Sequence, residues 1–168
     1  MLGSARLHDA VTVLAILGAV APVSAATGPR FDPVQFFAGR TEGQGTLKIV
    51  LTKRRSVVVH GRGRIMSDGA LVLDQTVIEG DKPPARRQWT FRPAGPGRFA
   101  GTLSDAAGPV AGNVTGSRLH LHFQMRGGIV ADQRLDLAAD GASAQNHMTF
   151  RKFGVVVGTL DETIRRRG

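Results

Sequence analysis

Beyond its first 25 residues the chain alternates apolar and polar positions with a period of two, and no window keeps a helical period for more than about two turns. The stretch around Leu119 shows this most clearly. Leu119, Leu121, Phe123 and Met125 fall on one face, and Arg118, His120, His122 and Gln124 on the other, which predicts one packed face and one wet face. Glycine and proline punctuation divides the chain into about ten segments of strand length, at 40–52, 56–66, 70–79, 86–93, 97–104, 108–115, 117–125, 128–137, 144–151 and 155–165. Between them, Ser67-Asp68-Gly69, the run from Pro93 to Gly97, Gly116-Ser117, Gly127-Gly128 and Asp140-Gly141 place glycine where a tight turn needs a positive φ. Consecutive strands are therefore expected to pair antiparallel. An open sheet of this size would leave two long edges ready to pair with other chains, and closing it removes both. The expectation is an all-β fold, a single antiparallel up-and-down barrel.

The opening residues follow a different logic. Arg6 supplies a positive charge, residues 10–21 form an apolar run, Pro22 ends it, and Val23-Ser24-Ala25 supplies the small residues of a signal-peptidase site. The apolar run is shorter than the ~20 residues of a spanning helix. Asp9 is unusual in such a segment, but the pattern as a whole predicts a signal helix cleaved after Ala25, with Ala26 as the second choice. The expected division is signal peptide 1–25, lead-in 26–35, barrel domain 36–164 and a frayed basic tail 165–168.

Composition narrows the chemistry. There is no cysteine, so disulfides, thiolate metal sites, a cysteine nucleophile and a lipid-modified N-terminal cysteine are excluded. The formal charge is +9, and removing residues 1–25 takes away one base and one acid, leaving it unchanged. The bases are scattered, at Lys53-Arg54-Arg55, Arg86-Arg87, Arg151-Lys152 and Arg165-Arg166-Arg167. Such a balance favours anionic partners. Nucleic acid is not the expected one, because stacking platforms need aromatics and the chain has no tyrosine and a single tryptophan. An anionic membrane surface is the alternative, and the protein is expected to be a monomer.

A few residues stand out as candidates for binding. Arg87, Trp89 and Phe91 share one face of a strand, a cation beside aromatic surface that suits the head of an amphipathic anion. Asp74 lies on a strand that otherwise reads apolar, within reach of a partner such as Arg87. Asp105 precedes a Gly-Pro bend, as a turn carboxylate accepting backbone N–H groups would. His120 and His122 are two imidazoles on one strand face, at a spacing some metal sites use, with His60 or His147 as a conceivable third; the plainer reading is polar residues facing solvent or lumen, and no metal or other cofactor is expected. Gly43-Gln44-Gly45 and Gly61-Arg62-Gly63 lie inside strands and read as bends or bulges, not as phosphate loops. No nucleophile elbow, Walker motif or zinc-protease helix occurs, so the balance leans away from an enzyme.

Taken in order, several segments resemble the bacterial domain-of-unknown-function family 3833, whose members are mostly small envelope proteins and often lipoproteins. They are Phe36-Phe37-Ala38-Gly39, Asp68-Gly69-Ala70-Leu71-Val72-Leu73-Asp74, Arg87-Gln88-Trp89, Gly97-Arg98-Phe99-Ala100-Gly101-Thr102, the run from Asp105 to Gly112, and the run from Asn146 to Gly154 before Val157-Gly158. The resemblance implies a lipocalin-like (calycin-like) barrel and carries no established activity. The chain departs from the family's pattern in lacking a lipobox cysteine, in having Gln75 where an acid is usual, and at residues 131–137, where an acidic, tryptophan-containing stretch is usual. The missing cysteine implies an exported, soluble periplasmic protein. Its leading expected role is to bind a hydrophobic or amphipathic, lipid-derived small molecule; the alternatives are a small-barrel enzyme acting on such a molecule, or an envelope protein contacting anionic lipid.

Overall fold

The computed structural model describes residues 28–168, so the expected signal peptide lies outside the described residues. These residues form one short helix and ten strands: α1 (Pro33–Phe37), β1 (Gly39–Ile49), β2 (Arg55–Ile65), β3 (Leu71–Glu79), β4 (Ala85–Pro93), β5 (Arg98–Leu103), β6 (Val110–Thr115), β7 (Arg118–Met125), β8 (Ile129–Leu137), β9 (Ser143–Lys152) and β10 (Val155–Arg167). Each strand pairs antiparallel with its neighbour in sequence, and β1 pairs with β10, which closes the barrel. The up-and-down topology follows from the turns. Gly69, Gly97, Gly116, Gly127, Gly128 and Gly141 all carry the positive φ that their positions suggested.

The alternation read from sequence sets the faces. Leu119, Leu121 and Phe123 are almost wholly buried, and the intervening Arg118, His120 and His122 are exposed. With Leu71, Leu73, Trp89, Phe91, Val110 and Leu135 they fill the inside of the barrel near one end. Trp89 stacks on Phe91 at 5.5 Å between ring centroids and meets the edge of Phe123 at 5.4 Å.

That end is closed by the segment leading into β1. Asp32 caps α1, its carboxylate accepting from the Val34 and Gln35 amides, and Pro33 starts the helix where a missing N–H costs nothing. Phe31, Phe36 and Phe37 insert into the barrel end, and the Phe31 amide donates to the Gly116 carbonyl at 2.9 Å. Gly63 permits the fit: a Cβ there would lie 1.9 Å from the Phe37 carbonyl oxygen. The lead-in expected to end at residue 35 is therefore part of the core, because three phenylalanines find no other place out of water.

Two further expectations are corrected. Arg165, Arg166 and Arg167 do not fray; they pair with Glu42, Thr41 and Arg40 to the end of β10, and Arg167 bonds Glu42. The Gly43 and Gly61 regions are not bulges, since the β1–β2 register runs unbroken through them.

Candidate functional site

The barrel interior is not uniform. Thr41, Gln133, Asn146 and Glu162 are buried polar residues, and all face inward on the side formed by β1, β8, β9 and β10. Gln75 and Arg87, cross-strand partners on β3 and β4, face inward beside them. Gly43 is what makes room: a Cβ at this position would lie 1.8 Å from Glu162 Oε1, so the carboxylate occupies the space a side chain would have taken.

Two hydrogen-bonded chains run through this region. Gln133 Nε2 donates to Asn146 Oδ1 at 3.0 Å, and Asn146 Nδ2 donates to Glu162 Oε2 at 2.8 Å. Opposite, Arg87 Nε and Trp89 Nε1 both donate to Gln75 Oε1, at 2.8 and 2.9 Å. The first chain has unused capacity at both of its ends. Gln133 Oε1 and Glu162 Oε1 are buried with no hydrogen-bond partner, a condition that costs about 1–3 kcal/mol per atom. Burial pushes the Glu162 carboxyl above its ordinary range, with the Asn146 hydrogen bond and the Arg87 charge opposing part of that rise. Burial likewise disfavours the charge on Arg87, and the carboxylates of Glu162 and Asp105 partly restore it. A void of about 30 Å³ remains among these groups, lined by Gln75, Arg87, Trp89, Gln133 and Glu162. It has room for about one water molecule.

Toward the end opposite α1 the interior opens. The inward-facing Leu47, Val77, Met125 and Phe150 are only partly buried, as are Gln75 and Arg87 below them. The lumen is thus a cup with an apolar wall near its mouth and a cationic, amide-rich patch on its floor. Such a cup suits a molecule with an apolar body and a polar head.

The candidates named from sequence separate into two groups. Arg87, Trp89 and Phe91 do point into the barrel together, with Trp89 and Phe91 in the packed floor. Asp105 follows β5 at the mouth end; its carboxylate accepts from the Ser104 hydroxyl at 3.1 Å, not from backbone amides, and its charge reaches Arg87. Asp74, His120 and His122 are corrected, because period-two alternation puts each on the outer face. Asp74 pairs with Arg64 at 2.9 Å and accepts from Gln88, while Arg87 faces the other way. His120 and His122 share Asp132, at 2.9 and 3.5 Å, on the outside of β7 and β8. Partial burial opposes ionisation of Asp132, but those two contacts outweigh it and hold the carboxyl below its usual range. Asp74, Arg87 and His120 therefore do not converge, and an active site built from the three has no place in this barrel.

The outer face of β1–β4 also carries a concavity of about 880 Å³, lined by Arg40, Arg62, Arg86, Arg167, His60 and Asp74 among others. Arg40, Arg62, Arg86 and Arg167 in it are exposed and Arg167 is engaged by Glu42, while the half-buried Gln75 and Arg87 also border it. The sequence reading names none of Gln75, Gln133, Asn146 and Glu162 as a site residue. The available signal was a polar residue at an inward position of an otherwise apolar alternation, as at Gln133 between Ala131 and Leu135.

A family model described as a protein of unknown function, DUF3833, matches residues 13–166. Among curated proteins, none matches the sequence. Among solved structures, the barrel is similar to the S-type phycobiliprotein lyase CPES from Guillardia theta, with a TM-score of 0.64 and 7% identity over 80% of this chain and 90% of that one. It is also similar to a protein of unknown function from the DUF3598 family of Nostoc punctiforme, with a TM-score of 0.58 and 12% identity over 83% of this chain and 50% of that one. At these identities the likeness is one of fold, that of a closed, lipocalin-like antiparallel barrel.

Proposed function

The chain belongs to the DUF3833 family, and we propose that its barrel holds a small amphipathic, lipid-like molecule with the anionic head at Arg87 and the apolar body in the mouth. The observation that carries this reading is the guanidinium of Arg87 inside the barrel, bonded through Nε to an amide oxygen and not to a carboxylate. Its two terminal nitrogens make no hydrogen bond to another described side chain. A carboxylate or phosphate would accept from both at once. Gln133 Oε1 and Glu162 Oε1 then offer acceptors to hydroxyl or amide groups next to that head. The packed β5–β7 side limits the ligand to the β1–β4 side and the mouth, since Leu119, Leu121 and Phe123 are almost wholly buried in it.

The same reading takes the protein to be exported. Residues 1–25 have the charge, apolar run and small-residue site of a cleavable signal, and without a cysteine there is no lipobox to anchor the mature chain, so a soluble periplasmic protein is the form we propose.

The single tryptophan sits in the site and supplies the test. Titration with a medium-chain alkyl phosphate or fatty acid should change Trp89 emission and saturate, and native mass spectrometry of the protein recovered from cells should show a bound small molecule. Arg87→Gln should weaken the titrated binding by about ten- to a hundred-fold, the loss of one charge-assisted contact. An unresponsive Trp89 with no co-purifying molecule would overturn the reading.

A further inference from the structure

The turn joining β1 to β2 and the turn joining β9 to β10 lie side by side at the open end of the barrel, because β1 pairs with β10 and the Val50 amide donates to the Val157 carbonyl. Their tips are apolar. Leu51 is 99% exposed and Phe153 93%, and Val50, Val155 and Val156 beside them are also exposed. Leu51 and Phe153 are also the only non-glycine residues with positive φ among the described residues, at 64° and 51°. At such tips asparagine or glycine would be relaxed and water-compatible; a leucine and a phenylalanine satisfy neither condition. This is a contiguous apolar patch on the surface of a basic protein, left exposed among the described residues.

Within the two turns and their flanks the charges are of one sign. Lys48, Lys53, Arg54, Arg151 and Lys152 surround the two tips, and residues 47–56 and 150–160 contain no aspartate or glutamate. Arg55, the remaining base, is held by Glu79 inside the rim, whereas Lys53, Arg54, Arg151 and Lys152 are exposed. Lys152 lies over the Phe153 ring at 5.8 Å, so the cation and the apolar group move together. Apolar tips that insert, encircled by bases that stay at the head groups, match an anionic bilayer surface in both chemistry and layout.

We propose that the β1–β2 and β9–β10 turns dock the barrel, mouth first, on an anionic lipid surface. Leu51 and Phe153 enter the acyl boundary, and the four exposed bases meet the head groups. Leu47 and Phe150, which line the mouth, lie just inside the same two hairpins. Resting on the proposed lumen site, docking in this orientation lets a lipid-like molecule pass between bilayer and cup without crossing water. The basic strand end at Arg165–Arg167 is at the opposite, plugged end and takes no part.

The cysteine-free chain permits a position-specific test. Phe153→Cys and, as the distant control, Met66→Cys at the plugged end are each labelled with the environment-sensitive fluorophore NBD. Both positions are exposed, so neither change should disturb the fold. On vesicles of phosphatidylcholine with 30% phosphatidylglycerol, the label at 153 should shift to the blue and be quenched by lipids brominated in their acyl chains. The label at 66 should do neither. Pure phosphatidylcholine or high salt should abolish the effect, and each of Lys53, Arg54, Arg151 and Lys152 changed to Gln should lower partitioning by about five-fold. A label at 153 that stays aqueous, that responds equally at 66, or that shifts without lipid as protein concentration rises would overturn the proposal, the last indicating a second copy of the chain as the occupant. Arg87→Gln should leave the vesicle response intact, so failure of the lumen site and failure of docking are told apart.

Discussion

The two sides of this barrel are built from the same alternating pattern and solve opposite problems. On the β5–β7 side the inward positions Leu103, Val110, Leu119, Leu121 and Phe123 interlock with Trp89 and Phe91 and exclude water. On the side of β1, β3, β4, β8, β9 and β10, glycines and amides replace that packing: Gly43 vacates space that Glu162 fills, and Gln75, Asn146 and Gln133 distribute a few hydrogen bonds among more groups than they can satisfy. The first side supplies stability. The second gives some of it up, holding a buried charge and unpartnered acceptors, and such concessions concentrate where a protein binds something.

Four changes test that division. The largest effect belongs to the packed side, where Phe123→Ala removes both buried volume and the edge contact with Trp89. It should lower stability by about 3–5 kcal/mol in urea unfolding. A loss below about 1 kcal/mol would mean the side is not a rigid wall.

Glu162→Gln addresses the polar side through pH. Burial raises the carboxyl above its ordinary value of 4.5, so the folded protein holds that proton more tightly than the unfolded chain. Ionising it therefore costs stability; the cost begins as pH rises past the ordinary value and is complete above the folded one. The variant should match the parent near pH 4 and exceed it near pH 8, by on the order of 1–2 kcal/mol. A variant less stable at the higher pH would mean that Arg87 already balances Glu162 and the region is a structural pair.

Asp32→Ala, which uncaps α1, should cost about 1 kcal/mol and loosen the plug, visible as faster amide exchange at Phe36 and Phe37. The smallest effect is expected outside the barrel. His120→Ala should alter stability by less than about 0.5 kcal/mol and leave probe binding unchanged, because its contact with Asp132 is exposed. A marked loss of binding in that variant would return the outer histidines to the site.

How much of this was legible depends on the residue. The strand at 117–125 was readable in full, faces included, because Leu119, Leu121 and Phe123 alternate with charged or polar neighbours and one-sided burial leaves a strand no other orientation. Arg87, Trp89 and Phe91 were readable as a shared face for the same reason. Asp74 was misplaced because its partner was chosen by nearness in chain order. Arg64 and Gln88 occupy the outer face with it, and Arg87 does not. Arg165–Arg167 looked like a tail because like charges repel, and only the continued pairing with β1 holds them as strand. Helix α1 is too short for periodicity to show, although Asp32-Pro33 was the local sign of a helix start.

By itself the sequence determined the strand count, the antiparallel order and the closed barrel, because these rest on alternation and turn chemistry that act between neighbours along the chain, while the family followed from the resemblance of its segments taken in order. The tertiary structure alone decided which polar residues share the lumen and which end stays open. Glu162 meets Gly43 and Asn146, and Arg87 meets Gln75, only after strands distant in sequence are brought into register, and Leu51 reaches the side of Phe153 only once β10 closes on β1. Register across a closed barrel is a property of the whole sheet, and no local stretch of residues carries it.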